Sequence, residues 1–150
     1  MDNRFELFTL LIAKCSRAIR KIKSIEMEEF NLKSPHVSCI YYLYRSNQPL
    51  TAAELCEICE EDKAQISRSI DLLEKDGYLE RISKSEKAYK SPLLLTNKGK
   101  TIAVKIAKKI NEIVELASAG LSDENRKIFY QSLTLISDNL QKICETYGEK

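Results

Sequence analysis

One histidine among 150 residues cannot supply the acid-base constellations on which most enzymatic sites are built. The four glycines are scattered, so there is no phosphate-cradling loop, and no serine is flanked by glycines as an exposed nucleophile requires. Apolar runs are equally short. Leu10-Leu11-Ile12-Ala13 is far too brief to span a bilayer and is followed at once by Lys14 and Arg17. The chain also lacks internal repeats, linkers and low-complexity tracts. Its net charge is only +2, so bulk charge does not announce a polyanion and only a local arrangement of cations can do so. These absences argue against an enzyme, a cofactor carrier and a membrane protein. No catalytic residue, metal ligand or cofactor is expected.

The cysteines Cys15, Cys39, Cys56, Cys59 and Cys144 form an odd, scattered set. Without a secretion signal, the expected compartment is a reducing cytoplasm. Cys56-x-x-Cys59 has the spacing of a redox pair or half a zinc site, but no third or fourth ligand lies nearby, so core packing is the favoured reading. Cys15 falls in an apolar stripe, where a buried thiol stays protonated and slow. Consecutive acids at Glu60-Glu61-Asp62 point in different directions, which suits a turn and a helix cap better than a metal.

What the chain does contain is organised around residues 51–96. Thr51 with Glu54 three residues on is a capping box that starts a helix at Ala52, with Ala53, Leu55, Cys56 and Cys59 as its core face. After the acidic turn, Asp62 caps a second helix, Gln65 repeats the box, and Ile66, Ile70 and Leu73 share one face. The outward face carries Lys63, Ala64, Gln65, Ser67 and Arg68. Such a mixture of short and hydrogen-bonding residues lets a helix approach base edges in the major groove, where arginine can grip guanine with two hydrogen bonds. Gly77 ends the helix in a left-handed turn. Tyr78–Ile82 and Ser91–Leu95 then read as paired strands around a wing bearing Lys84, Lys87 and Lys90, cations suited to phosphates.

The flanks are helical. From Phe5, the positions Phe8, Ile12, Cys15, Ile19 and Ile22 step by three and four, and the opposite face carries Lys14, Arg17, Arg20, Lys21 and Lys23, expected to be solvated. Ser34 as cap and Pro35 in the first turn start another helix, with Val37, Ile40, Tyr41 and Tyr44 as its main apolar face. His36 is expected to be partly exposed. Thr96 caps a helix carrying Ile102, Ile106, Ile110, Ile113 and Ala117, which Gly120 breaks. Ser122 caps the last, in which Phe129, Leu133, Ile136, Leu140, Ile143 and Tyr147 approach a heptad seam.

Four pieces in register, Leu50-Thr51-x-x-Glu54-Leu55, Asp62-Lys63-x-x-Ile66-Ser67-Arg68, Leu73-Glu74-Lys75-Asp76-Gly77-Tyr78-Leu79-Glu80-Arg81 and Leu95-Thr96-x-Lys98-Gly99, resemble the MarR family of bacterial transcription regulators. With the flanking helices the resemblance covers nearly the whole chain. It implies a homodimer, usually a repressor, that binds a palindromic operator and is often released by a small ligand or by oxidation. One departure stands out: the family's wing commonly carries Asp-x-Arg, whose arginine enters the minor groove, and this wing has no arginine at its tip. Lysines lack arginine's flat fork and should specify sequence less sharply.

The expected architecture is therefore mainly α with a small β-hairpin wing (α+β). A winged helix-turn-helix spans about residues 34–96, and dimerisation helices span about 1–33 and 97–150, all in a single domain that buries about 70% of its unfolded surface. The expected partner is double-stranded DNA, bound by Lys63, Ala64, Gln65, Ser67, Arg68, Lys84, Lys87 and Lys90. A small aromatic or anionic effector is expected among Phe8, Ile12, Cys15, Arg17, His36, Cys39 and Tyr42. The alternative functions are a helical dimerisation or adaptor protein whose winged unit binds protein, and a thiol-based redox-sensing regulator.

Overall fold

The computed structural model describes residues 3–59, 61–82 and 90–148. In chain order they form α1 (Arg4–Glu26), a 3-10 turn (Glu28–Phe30), α2 (Ser34–Arg45), α3 (Ala52–Cys59), α4 (Lys63–Lys75), β1 (Leu79–Arg81), β2 (Leu93–Leu95), α5 (Asn97–Ala117) and α6 (Asp123–Gly148). Two compact units are present, residues 1–109 and residues 110–150.

In the first unit, helix starts are set by side-chain oxygens. Thr51 and Glu54 cap α3 reciprocally: the Thr51 N–H donates to Glu54 Oε2 at 2.7 Å and the Glu54 N–H to Thr51 Oγ1 at 3.3 Å. Asp62 Oδ1 accepts from the Gln65 N–H at 2.8 Å to start α4. The second half of that expected box does not form, because Gln65 Oε1 accepts instead from the Arg68 guanidinium at 3.0 Å. The start of α2 also differs from expectation. Ser34 lies inside the helix, and the Lys33 N–H donates to His36 Nδ1 at 3.0 Å. His36 is accordingly buried rather than partly exposed: its imidazole nitrogen, at the third position of the helix, accepts the N–H of the cap residue Lys33.

The core lies where α2, α3, α4 and the hairpin meet. Ile40, Leu55, Ile66, Ile70, Leu73, Leu79 and Leu93 are all essentially inaccessible. The inner face of α2 runs through Val37, Cys39, Ile40 and Leu43; Tyr41 is only half-buried and Tyr44 is exposed. On α3 only Leu55 is buried, and Ala53, expected in the core, is exposed. Strands β1 and β2 pair antiparallel with Leu79 opposite Leu95 and Arg81 opposite Leu93, and Leu93 bridges to Leu50 on its other edge.

Directly after β2, the chain locks onto the end of α4. Gly77 takes φ +79° there, the left-handed turn that a glycine adopts without strain. Thr96 Oγ1 donates to the Gly77 carbonyl at 2.6 Å and accepts the Gly99 N–H at 3.1 Å, which also caps α5. Lys98 Nζ donates to the Asp76 carbonyl at 2.6 Å and sits 4.4 Å from the Tyr78 ring centre. Gly99 packs against the Tyr78 backbone so closely that a Cβ would fall 1.9 Å from the Tyr78 carbonyl oxygen.

The second unit comprises the end of α5 and α6. Gly120 adopts φ +90° between them, and Ser122 Oγ accepts the Asn125 N–H at 3.1 Å at the start of α6. Arg126 pairs with Glu115 at 3.8 Å. Neither α1 in the first unit nor α6 in the second contains a buried residue in the single chain. Cys15, expected to be buried in the α1 stripe, is therefore exposed.

Candidate nucleic-acid interface

Helix α4 divides sharply by face. Ile66, Ser69, Ile70 and Leu73 point into the core, and Ser69 Oγ satisfies itself on the Gln65 carbonyl at 2.9 Å. Lys63, Ala64, Ser67 and Arg68 are exposed and Gln65 is half-buried, so all five expected contact residues lie on or beside one outward surface. The Gln65 to Arg68 hydrogen bond holds the guanidinium over the first turn of the helix. There it is offered outward in a defined pose rather than sampling its full rotamer range.

The orientation of α4 is fixed at its C-terminus and along its flank. Its C-terminus is held by the Thr96, Lys98 and Gly99 contacts. Along its flank, Arg81 of β1 reaches back to Glu74 at 3.2 Å and Asp71 at 3.6 Å, with only 20% of its side chain exposed. Its charge is thus turned inward to join the strand to the helix. No local sequence pattern links Arg81 to acids one and two helical turns before Gly77, so the pairing was not visible from spacing. Of the wing lysines, Lys90 is exposed beside β2, whereas Lys84 and Lys87 lie outside the described residues.

The residues expected to line an effector site are dispersed between two environments. Ile12, Cys15 and Arg17 stand exposed on α1, and Phe8 and Tyr42 are half-buried. His36 and Cys39 are buried on α2. A cavity of 340 Å³ opens instead within the helix-turn-helix, lined by Ala52, Ala53, Cys56, Lys63, Ser67, Ile70 and Arg81. His36 has its pKa pushed down, first by burial and then by the Lys33 charge, with Asp76 acting in the opposite sense. The neutral imidazole is the form that Nδ1 needs to accept the Lys33 N–H. Among the described residues, no group of His, Cys, Asp and Glu could hold a metal ion, and no helix is long and apolar enough to cross a membrane.

Comparisons with known proteins agree with this geometry. Residues 30–87 match the model of the MarR family. The chain is 22% identical over 134 residues to the uncharacterised HTH-type transcriptional regulator YybA of Bacillus subtilis strain 168, covering 89% of each chain. A MarR transcriptional regulator from Methanosarcina mazei Go1 superposes with a TM-score of 0.81 at 23% identity, over 92% of this chain and 99% of that one. A putative MarR family transcriptional regulator from Listeria monocytogenes, solved in complex with 26mer DNA, gives 0.75 at 25% identity, over 86% and 85%. The sequence match runs from α2 past β1, where the outward face of α4 is built, and the similar folds extend along the flanking helices: residues 30–87 are similar to the MarR family, and the fold is that of solved MarR regulators.

Proposed function

We propose that this regulator binds double-stranded DNA with α4 in the major groove, as a homodimer on a palindromic operator. In that reading Ser67 and Arg68, helped by Lys63, Ala64 and Gln65, meet base edges, and Lys84, Lys87 and Lys90 meet the phosphates. The observation that carries it is the outward face of α4: Ile66, Ile70 and Leu73 are turned into the core, and a positioned arginine and an exposed lysine remain at its N-terminal end. The Listeria relative's 26mer DNA complex supports the same use of the fold.

Two-fold assembly rests on the terminal helices. Phe5 on α1 is 79% exposed, and Phe129, Leu140 and Tyr147 on α6 are 50%, 47% and 67% exposed. Apolar stripes of that extent are the mark of an association surface. A homodimer would place its two recognition helices about 34 Å apart, one turn of DNA. In keeping with the family, the regulator acts in the cytoplasm as a repressor that a small aromatic or anionic ligand can release.

Mobility shifts over a salt series, with DNA from upstream of the protein's own gene, test the proposal. Arg68→Ala should lose on the order of 1 to 3 kcal/mol of operator binding if it reads a guanine. Replacing the wing lysines should instead weaken all sequences alike and flatten the salt dependence. Full affinity and discrimination in Arg68→Ala would remove α4 as the reading head.

A further inference from the structure

The charges of the two arginines at α4 are handled in opposite ways. Arg81 is turned against two carboxylates, 3.6 Å from Asp71 and 3.2 Å from Glu74, and its charge is largely offset there. Arg68 is exposed, and its hydrogen-bond partner is a neutral amide: Gln65 Oε1 accepts from Nη2 at 3.0 Å. A guanidinium has no acceptor, so it is the amide oxygen that must face it. A carboxylate in the same place would also hold the side chain, but it would cancel the charge that draws DNA. An amide fixes the direction of the arginine and leaves its charge whole.

Gln65 is anchored on both sides of its own peptide. Its N–H donates to Asp62 Oδ1 at 2.8 Å, and its carbonyl accepts the hydroxyl of the fully buried Ser69 at 2.9 Å. In a reciprocal cap its side chain would reach back to the Asp62 N–H and stabilise the start of the helix. That bond is forgone in favour of Arg68. Gln65 takes one of the five guanidinium donors, and a guanine needs two, for O6 and N7. The pose therefore leaves the arginine able to grip a base.

We propose that Gln65 is a positioning residue for Arg68, holding the guanidinium in the pose that reads a guanine, so that its part in base reading runs through Arg68 rather than through a base contact of its own. The inference rests on the reading of α4 as the helix that enters the major groove. An arginine immobilised only on binding gives up rotamer freedom at that moment, and one already held gives up less. The gain falls on discrimination. A held fork meets the two acceptors of guanine, whereas a free one can settle on a neighbouring phosphate at any sequence.

The test is selection from a duplex DNA pool with a randomised core, sequenced for the parent, Arg68→Ala, Gln65→Met and the double variant. Arg68→Ala marks the base pair that Arg68 reads. Gln65→Met keeps the length of the side chain and removes the acceptor. It should lower the preference for guanine at that same pair by about two- to tenfold and leave the other positions unchanged. Added to Arg68→Ala it should change nothing further, since its partner is already gone. Gln65→Glu, whose carboxylate accepts the same bond, should restore the preference while weakening binding to every sequence alike. A side chain needed only to build the helix would lower affinity for all sequences and spare the preference. Relaxation of a different base pair, persisting in the Arg68→Ala background, would mean that Gln65 reads a base itself and would overturn the proposal. So would an unchanged preference in Gln65→Met beside a clear loss in Arg68→Ala, which would leave α4 as the reading helix. A parent chain that enriches no sequence, or an Arg68→Ala chain that keeps the parent's motif, would overturn the proposed function and this inference with it. Nuclear magnetic resonance of the free parent chain needs no variant: the Arg68 guanidinium should rotate slowly, and free rotation there would also overturn the proposal.

Discussion

Substituting Gly99 by alanine probes the lock between α5 and the end of α4 with a single methyl group. The added carbon would lie 1.9 Å from the Tyr78 carbonyl oxygen, 3.0 Å from its carbonyl carbon and 3.1 Å from Leu95 Cδ2. Restoring an ordinary contact of about 3.5 Å requires a separation of roughly 1.5 Å. The obstructing atom is backbone and already accepts the Thr96 N–H at 3.1 Å, so it cannot swing aside as a side chain would. Overpacking of this kind costs about 1 to 3 kcal/mol, and immobility places this case near the upper end. Alanine's better helix propensity returns at most about 1 kcal/mol, less in a first turn. The net loss is then about 2 kcal/mol, or a fall in melting temperature of roughly 4 to 8 °C for a chain of this size. Thermal unfolding followed by circular dichroism measures it, with Gly148→Ala as the control, since nothing lies within 4 Å of the Cβ there. A Gly99→Ala protein melting within about 1 °C of the parent would refute the close approach.

Three further outcomes are expected. His36 has a folded pKa below its unfolded value, so its contribution to stability is full above about pH 6.5 and is lost as the pH falls through the folded value; His36→Gln, which can accept the Lys33 N–H without titrating, should show a smaller drop in urea midpoint between pH 7 and pH 5.5, and equal drops would contradict the cap. Arg81→Met should cost only about 1 kcal/mol of stability, because Asp71 and Glu74 are substantially exposed. It should reduce DNA affinity by more than that loss accounts for, and unchanged affinity would mean that the hairpin is held without the ion pairs. Leu140→Asp should convert a dimer to a monomer in light scattering and abolish operator binding, and a parent protein that is monomeric at micromolar concentration would refute two-fold assembly.

The parts of the fold that could be read from sequence are those decided within a few residues. Thr51, Asp62, Thr96 and Ser122 each accept a backbone N–H three positions on, and Gly77 takes the left-handed turn at the end of α4. The period of Ile66, Ile70 and Leu73 likewise separates the inner from the outer face of α4 without reference to the rest of the chain. What could not be read depends on groups brought together from afar. Arg81 turns inward only because α4 presents Asp71 and Glu74 to β1.

The open stripes of α1 and α6 also have a genetic consequence, because the winged unit closes its own core without them. If two copies associate as proposed, a chain whose reading face is spoiled, as in Arg68→Ala, would keep the pairing surfaces intact. Expressed beside the normal chain, it would enter mixed pairs with one working reading head and one dead one. Random pairing at equal expression leaves only about a quarter of the pairs with both heads intact. Such an allele would act as a dominant negative, whereas an allele damaged in α6 would be recessive, and a merodiploid strain would tell the two apart.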